Sequence, residues 1–472
     1  MKLRKILPLI AVLLLMLVAI PLMVVSASAE DALTPSEGLE FKLSGNKKYY
    51  IVAGIGDFEG SELVIPSTYE GKPVERIAQY AFRDKTQLTS VYLPDSINYV
   101  GHAVFYNCTN ITSARLSAGL KTIGSSMFQK CSKLTSIVIP EGVTAINKDA
   151  FRECTALAEI SLPSTLQSIS QSVFRTNKAM TSITLPNSVT FVDHAAFYGC
   201  TQLRTVVIPG SVKNIPTYAF YNCGNLRSVT FGEGVESIGN YAMAQCPFLN
   251  TVNLPDSLTT IGLSAFRMGA TQTSRLKAIT IPANVTSIGN YAFFKGAITE
   301  INIPASVNNI GNNAFSGCNA LKTVYYGGAN EAAWNNINLN SNALLIKVTR
   351  YYYSENDPHA EGYWHYVNGV PTVWEVVPLP EFTVSFNANG HGTAPEAQTV
   401  VEGQKATNPG ALTAEDYEFI GWYTDAACTE AYDFNTAVTT DITLYAKWVK
   451  MGDFVIGGDP ESGDLEMPEI GI

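Results

Sequence analysis

The amino-acid sequence predicts a repeat solenoid, a parallel β-sheet of coils about 23 residues long, followed by a small β-rich domain. Three observations lead there. An aromatic column recurs every 23 residues, a strand-like apolar segment precedes it at a fixed offset, and the period fails after Tyr326, with strand alternation in a separate segment beyond residue 381. At 472 residues the chain exceeds one average domain, so more than one folded unit is expected.

The first thirty residues read as an export leader. Lys2, Arg4 and Lys5 precede an apolar run from Ile6 to Val25, and Ala27 and Ala29 suit a small-residue cleavage site before Glu30. A signal peptide is therefore expected over 1–29. An uncleaved anchor is the alternative, because the run is long enough to span a bilayer, and membrane contact is expected in that case alone. No Cys precedes Cys108, which argues against a lipid-modified N-terminal cysteine. Residues 30–61 should close the first coil, with Leu39–Leu43 and Tyr49–Ala53 forming a hairpin around Gly45-Asn46.

The solenoid is expected over 62–327. Its aromatic column is Phe82, Phe105, Phe128, Phe151, Phe174, Phe197, Phe220, Met243 and Phe266, continued by Phe293 and Phe315. A second column lies five residues ahead, from Ile77 and Val100 to Ile288 and Ile310. A third ends each strand, as Ile139 does before Pro140, which cannot donate to a ladder. Ile137 and Ile139 alternate with Ser136 and Val138 at strand spacing, and Lys148 to Phe151 reads as a short helical or turn-like stretch. One coil cannot bury these groups, but stacked coils can.

This unit resembles the BspA-type leucine-rich repeat of bacterial surface proteins; Ile238-Gly-Asn-Tyr-Ala-Met243 and Ile288-Gly-Asn-Tyr-Ala-Phe293 match its centre. The resemblance covers about Glu62 to Gly327 and implies a leucine-rich-repeat horseshoe, with the sheet concave and a role in adhesion or partner binding. Met243 in place of the aromatic and Phe231-Gly232 at a strand end depart from the pattern.

Residues 328–378 read as a C-terminal cap or edge hairpin, with Asn368-Gly369 as a type I′ turn, and 379–381 as a linker. Within 382–450, Ile442, Leu444, Ala446 and Trp448 alternate with Thr443, Tyr445 and Lys447. Val384-Ser-Phe386, Phe419-Ile-Gly-Trp-Tyr423 and Leu444-Tyr-Ala-Lys-Trp448 resemble the Listeria–Bacteroides repeat, which implies a β-grasp-like module. Trp422 and Trp448 are expected in its core rather than at a ligand. The acidic, Gly- and Pro-rich tail 451–472 is expected to be disordered; it carries no LPxTG-type sorting motif, so covalent wall attachment is not supported.

The search for chemistry is negative. Seven cysteines lie three residues after the aromatic column, at Cys108, Cys131, Cys154, Cys200, Cys223, Cys246 and Cys318, with Asn177, Gly269 and Gly296 elsewhere in that slot. A ladder reads as a buried packing position holding thiols, with disulfides between coils as the alternative. No metal or other cofactor is expected: there is no CxxC pair, and His102 and His194 fall four coils apart. No Ser/His/Asp grouping, Walker-type loop or HExxH occurs, so no enzyme is expected. Net charge is −10 without basic blocks along the chain, which disfavours nucleic acid.

Positions one and three before the strand-ending column should face outward and are dominated by short hydroxyls. Tyr92, Arg115 and Tyr325 stand out as contact candidates, with the carboxylates Glu159 and Glu300 six coils apart, too far for paired-acid chemistry. The expectation is a monomeric, secreted or cell-surface protein that binds a protein or glycan through the solenoid sheet. A structural spacer without a specific ligand is the alternative.

Overall fold

The computed structural model describes residues 33–269 and 272–452. The expected leader over 1–29 and the tail from 453 onward lie outside the described residues. The chain divides into two compact units, one running to Asn356 and taking in Gly362–Val373, the other comprising Asp357–Glu361 and Trp374 onward.

In the first unit each coil contributes two short strands. Ser136–Val138 pairs in parallel with Glu159–Ser161, placing Ile137 beside Ile160 one period later. Ser182–Thr184, Thr205–Ile208, Ser228–Phe231 and Thr251–Asn253 continue the same 23-residue register. A second parallel ladder forms on the other apolar column, where two-residue strands such as Thr122–Ile123, Ala145–Ile146, Ser168–Ile169 and Phe191–Val192 stack in turn. Sequence patterning does not announce this second sheet, because two residues are too few to show an alternation.

The aromatic column forms the spine of the core. From Phe82 to Phe220 successive rings lie 5.3–5.9 Å apart with planes within 19°. All seven are fully buried. Burial of each contributes roughly 1.5–3 kcal/mol. Met243 interrupts the ring stack, which resumes through Phe266, Phe293 and Phe315 at 5.2 Å.

The turn around each Phe is not helical. The residue two before the aromatic is left-handed in every coil, including Ala103 at φ 53°, Ala195 at 54° and Tyr218 at 58°. Such backbone costs roughly 1–2 kcal/mol in a non-glycine residue. Here alternate amides reach the next coil: Tyr218, Phe220 and Asn222 donate to the carbonyls of Asn240, Ala242 and Ala244 at 2.7–3.0 Å. The intervening amides bond within their own turn, as Tyr221 does to Tyr218 at 3.3 Å. A saturated third ladder results.

The cysteine slot takes part in it. The buried Sγ of Cys131, Cys154, Cys200, Cys223 and Cys246 each donates to the carbonyl of the Phe 26 residues earlier, at 3.0–3.2 Å. All eight cysteines are free thiols. Burial pushes the thiols of Cys200 and Cys246 up to about 12. Asn177 occupies the slot once, fully buried, and neither its Nδ2 nor its Oδ1 has a partner.

The ends are closed by local pairing. Glu40–Leu43 and Tyr50–Gly54 form an antiparallel hairpin, and the latter strand pairs in parallel with Lys72–Ile77. After Thr323–Tyr326 the main sheet continues through Thr349–Tyr353 and Tyr363–Val367, ending on an antiparallel return at Val370–Val373. Asn368 and Gly369 turn that hairpin with φ of 53° and 81°. Two short helices unforeseen from the sequence, α1 (Glu331–Asn335) and α2 (Ala343–Lys347), bury Trp334 and Leu345 under the last coil.

The second unit is a four-stranded sheet ordered Gln398–Val401, Glu381–Asn387, Ile442–Lys450, Tyr417–Tyr423, with the two central strands parallel. Trp422 is buried 5.0 Å from Phe386. Trp448 is half-buried with its Nε1 donating to the Ala388 carbonyl at 2.7 Å.

Candidate functional site

The longer strands of successive coils present a wall, register-paired within separate short ladders such as Ser136–Val138 with Glu159–Ser161 and Ser182–Thr184 with Thr205–Ile208. Ser113, Ser136, Glu159, Ser182 and Thr205 are exposed and recur at the same strand position in five consecutive coils. Thr251, Ala278 and Glu300 extend the column further along. Short hydroxyls dominate the wall, and each exposed residue alternates with a core-facing one such as Ile137 or Val206.

The larger side chains picked out from the sequence are tied into the fold at its ends. Tyr92 and Arg115 are register partners, and the Arg115 guanidinium lies 4.9 Å over the Tyr92 ring. Arg115 also grips Asp95 at 2.8 and 2.9 Å and donates to the Leu93 carbonyl. Burial opposes ionisation of Asp95, but Arg115 and the Ala118 amide outweigh it and hold the carboxyl below its ordinary range. Tyr325 stacks on Tyr351 at 5.9 Å and meets Trp364 edge-on at 5.6 Å, so it belongs to the aromatic cluster of the C-terminal hairpin. Glu159 and Glu300 are both exposed, with the strands of Ser182, Thr205, Ser228, Thr251 and Ala278 between them in sequence. One outward expectation is corrected. Asn302 is buried, because Tyr366 of the hairpin covers it and accepts its Nδ2–H at 2.8 Å.

Other hydroxyls that look solvating in sequence are structural. Thr165, Ser188, Ser211 and Ser257, each two residues after the strand-ending Pro or its equivalent, donate to Val143, Leu166, Val189 and Val235 of the preceding coil at 2.6–2.9 Å.

A second surface was not anticipated. The turns carrying the aromatic column line up along one edge of the coils, and side chains one to four residues after each Phe form an open cleft of about 480 Å³. Lys130, Arg152, Arg175 and Lys178 line it against the single carboxylate of Glu153, a lining charge of 4 − 1 = +3 in a chain of net −10. Arg152 pairs with Glu153 at 3.1 Å and approaches Asp149 at 3.7 Å. Lys130 Nζ lies 5.5 Å over the ring of Tyr106, and that neighbour raises its pKa above the ordinary lysine value. Among the described residues, no carboxylate lies within 4.0 Å of Arg175 or Lys178. Arg175 instead lies 4.5 Å over the ring of Tyr198.

From Tyr198 the edge continues as a tyrosine ladder. Tyr198 stacks on Tyr221 at 5.0 Å and Tyr218 on Tyr241 at 5.0 Å, with Tyr218 and Tyr221 edge-to-face at 5.4 Å. Read along the chain these residues are scattered singly. Only the 23-residue period, applied to the position after each Phe, gathers Arg152, Arg175, Tyr198 and Tyr221 into one row.

Among the described residues there is no group of three or more His, Cys, Asp or Glu able to hold a metal ion, and no helix is long and apolar enough to cross a membrane. His194 contacts Asp193 at 3.1 Å, and His102 meets Tyr80 edge-on at 5.4 Å; each belongs to its own coil edge.

A family model described as a BspA type leucine rich repeat region matches residues 60–181, 176–271 and 270–351, and one described as a Listeria-Bacteroides repeat domain matches 382–447. In Evansella cellulosilytica, a protein provisionally named a membrane protein is 36% identical over 100 residues, 20% of this chain and 14% of that protein. A Gly-rich membrane protein of the same organism, also provisionally named, is 43% identical over 76 residues, 16% of this chain and 8% of that protein. The chain thus spans only a small part of either relative's length. Among solved structures, a leucine rich cell surface protein from Faecalibacterium prausnitzii is 28% identical, with a TM-score of 0.37 over 65% of this chain and 98% of that one. The pneumococcal vaccine antigen PcpA is 21% identical, with a TM-score of 0.43 over 68% of this chain and 93% of that one.

Proposed function

The chain belongs to the BspA-type leucine-rich-repeat family and carries one Listeria–Bacteroides repeat domain, and on that premise we propose that it is a secreted or cell-surface bacterial protein that docks a protein or glycan on its solenoid sheet. The carrying observation is the exposed wall of Ser113, Ser136, Glu159, Ser182 and Thr205. A run of short exposed side chains spanning many coils suits an extended partner, and its function is binding rather than a reaction. The membrane-protein names of the relatives accord with a place at the cell surface.

A second reading makes the solenoid a spacer. The internal commitments of Arg115 to Asp95, of Tyr325 to Trp364 and of Asn302 to Tyr366 favour it, since they draw the larger side chains away from any partner. The test immobilises the full chain and probes it with extracellular matrix proteins and glycans. Docking predicts saturable binding that weakens about tenfold, or about 1.4 kcal/mol, when Ser182→Gln and Thr205→Gln are combined in mid-wall. Silence across the panel, or binding that ignores these substitutions, supports the spacer.

A further inference from the structure

We propose that the turn edge of the coils is a second binding surface, a track for a linear acidic polysaccharide carrying carboxylates or sulfates. The inference goes beyond the sheet-docking reading, sharing with it only an extracellular setting. It rests on the cleft lined by Lys130, Arg152, Arg175 and Lys178, where +3 of lining charge collects on a chain of net −10.

Geometry selects the class of anion. These cations come from successive coils, and the coil spacing is set by Phe rings 5.7–5.9 Å apart at Phe128, Phe151 and Phe174. Charges strung at such intervals along an open cleft match a polymer with repeated anionic groups better than one compact anion. A compact anion would call for a nest of free backbone amides. Four lining amides are committed within the coils: Arg152 and Thr176 donate to Asp149 and Tyr198, and Lys130 and Glu153 donate to Arg152 and Arg175 at 2.7–3.0 Å. At these positions the attraction comes from the charged side chains.

The tyrosine ladder separates a polysaccharide from a nucleic acid. Single-stranded nucleic acid binds by stacking bases on open aromatic faces. In this ladder Tyr198 and Tyr221 lie face to face within 19°, and Tyr218 and Tyr241 within 13°, so each ring has one face covered by its partner, and Arg175 also lies over Tyr198. With their mutual faces closed, such stacked rings turn mainly their edges and hydroxyls to a ligand. Ring edges carry the positive side of the quadrupole, and phenolic hydroxyls donate, so both favour sugar hydroxyls and acidic groups. The cation over Tyr198, Arg175, joins ladder to cleft at 4.5 Å.

The test titrates the full chain with chondroitin sulfate, neutral dextran and single-stranded poly(dT) at low ionic strength. The expected result is saturable binding of chondroitin sulfate that weakens as salt rises, with no binding of dextran and markedly weaker binding of poly(dT). Combining Arg175→Ala with Lys178→Ala should weaken it about tenfold at an unchanged thermal midpoint. Lys178 is exposed, so Lys178→Glu alone leaves the fold intact and must also weaken binding. The mid-wall variant Ser182→Gln with Thr205→Gln should bind chondroitin sulfate as the parent does. No binding, indifference to both cleft variants, or equal affinity for poly(dT) overturns the proposal. A protein or neutral-glycan signal abolished by the mid-wall variant would leave the sheet reading standing in that case.

Discussion

Asn177→Cys should stabilise the solenoid. Asn177 sits where the neighbouring coils place Cys154 and Cys200, fully buried, with both ends of its amide unpaired. Leaving a buried polar group without a partner costs about 1–3 kcal/mol. A thiol in the slot carries one polar atom instead of two. It would donate to the Phe151 carbonyl as Cys154 does to Phe128 at 3.0 Å and Cys200 to Phe174 at 3.1 Å. The slot already accommodates sulfur on either side, so the volume change is small. The expected gain is about 1–3 kcal/mol, more than fivefold in the folded-to-unfolded ratio. Stability in a repeat array is a sum of local and nearest-neighbour contributions, so the gain should concentrate near the substituted coil. Hydrogen exchange of the amides between Phe151 and Cys200 reads it directly, with urea unfolding as the global companion. Asn177→Asp is the opposing control, since it buries a charge with no cation to meet it and should destabilise strongly. Equal or faster exchange in Asn177→Cys would refute the view that this slot is a thiol-donor position.

Phe151→Ala should cost about 3–5 kcal/mol, because it removes a fully buried ring stacked on both Phe128 and Phe174; hydrogen exchange should rise first in those three coils. The buried thiols should resist maleimide in the native chain and react on unfolding, and labelling at the native rate of a free thiol would contradict their placement. Since burial raises Cys200 and Cys246 from 9.0 to about 12, their contribution to stability is full below about pH 9 and should fall as pH climbs toward 12, an alkaline slope that Cys200→Ala diminishes. Asp95 has the opposite sign: its carboxyl is held low, so its contribution is present above the ordinary carboxylate range and disappears as pH falls through its folded value. Arg115→Met should flatten that acid slope by under about 1 kcal/mol, the pair being partly exposed.

What was legible in the sequence is what repeats. Phe128, Ile146 and Cys131 can be assigned to the core because each recurs in a slot that every coil shares, and Tyr92 can be placed beside Arg115 by the same 23-residue arithmetic. The left-handed turns were hidden, because Ala103 and Ala195 adopt a conformation ordinarily signalled by Gly or Asn. Asn302 looked outward by alternation, but burial depends on Tyr366, 64 residues away in the hairpin that covers it. The cationic cleft was invisible to a reading of charge along the chain, since Lys130, Arg152 and Arg175 stand about one period apart and meet only when coils stack. In a solenoid, neighbours in space are periods in sequence, and a column two residues from the one being followed carries equal information.

Both proposed surfaces exist only if consecutive coils advance in register. Pairs of spin labels at Ser136 and Ser182, Ser113 and Thr205, and Ser113 and Thr251 test this by electron paramagnetic resonance, all four native positions of the shorter pairs and Thr251 being exposed. With two, four and six coils between labels and ~4.8 Å per strand, the distances should climb in even steps of about 10 Å. Distances that fail to grow with the number of coils would contradict the stack, and with it both binding surfaces.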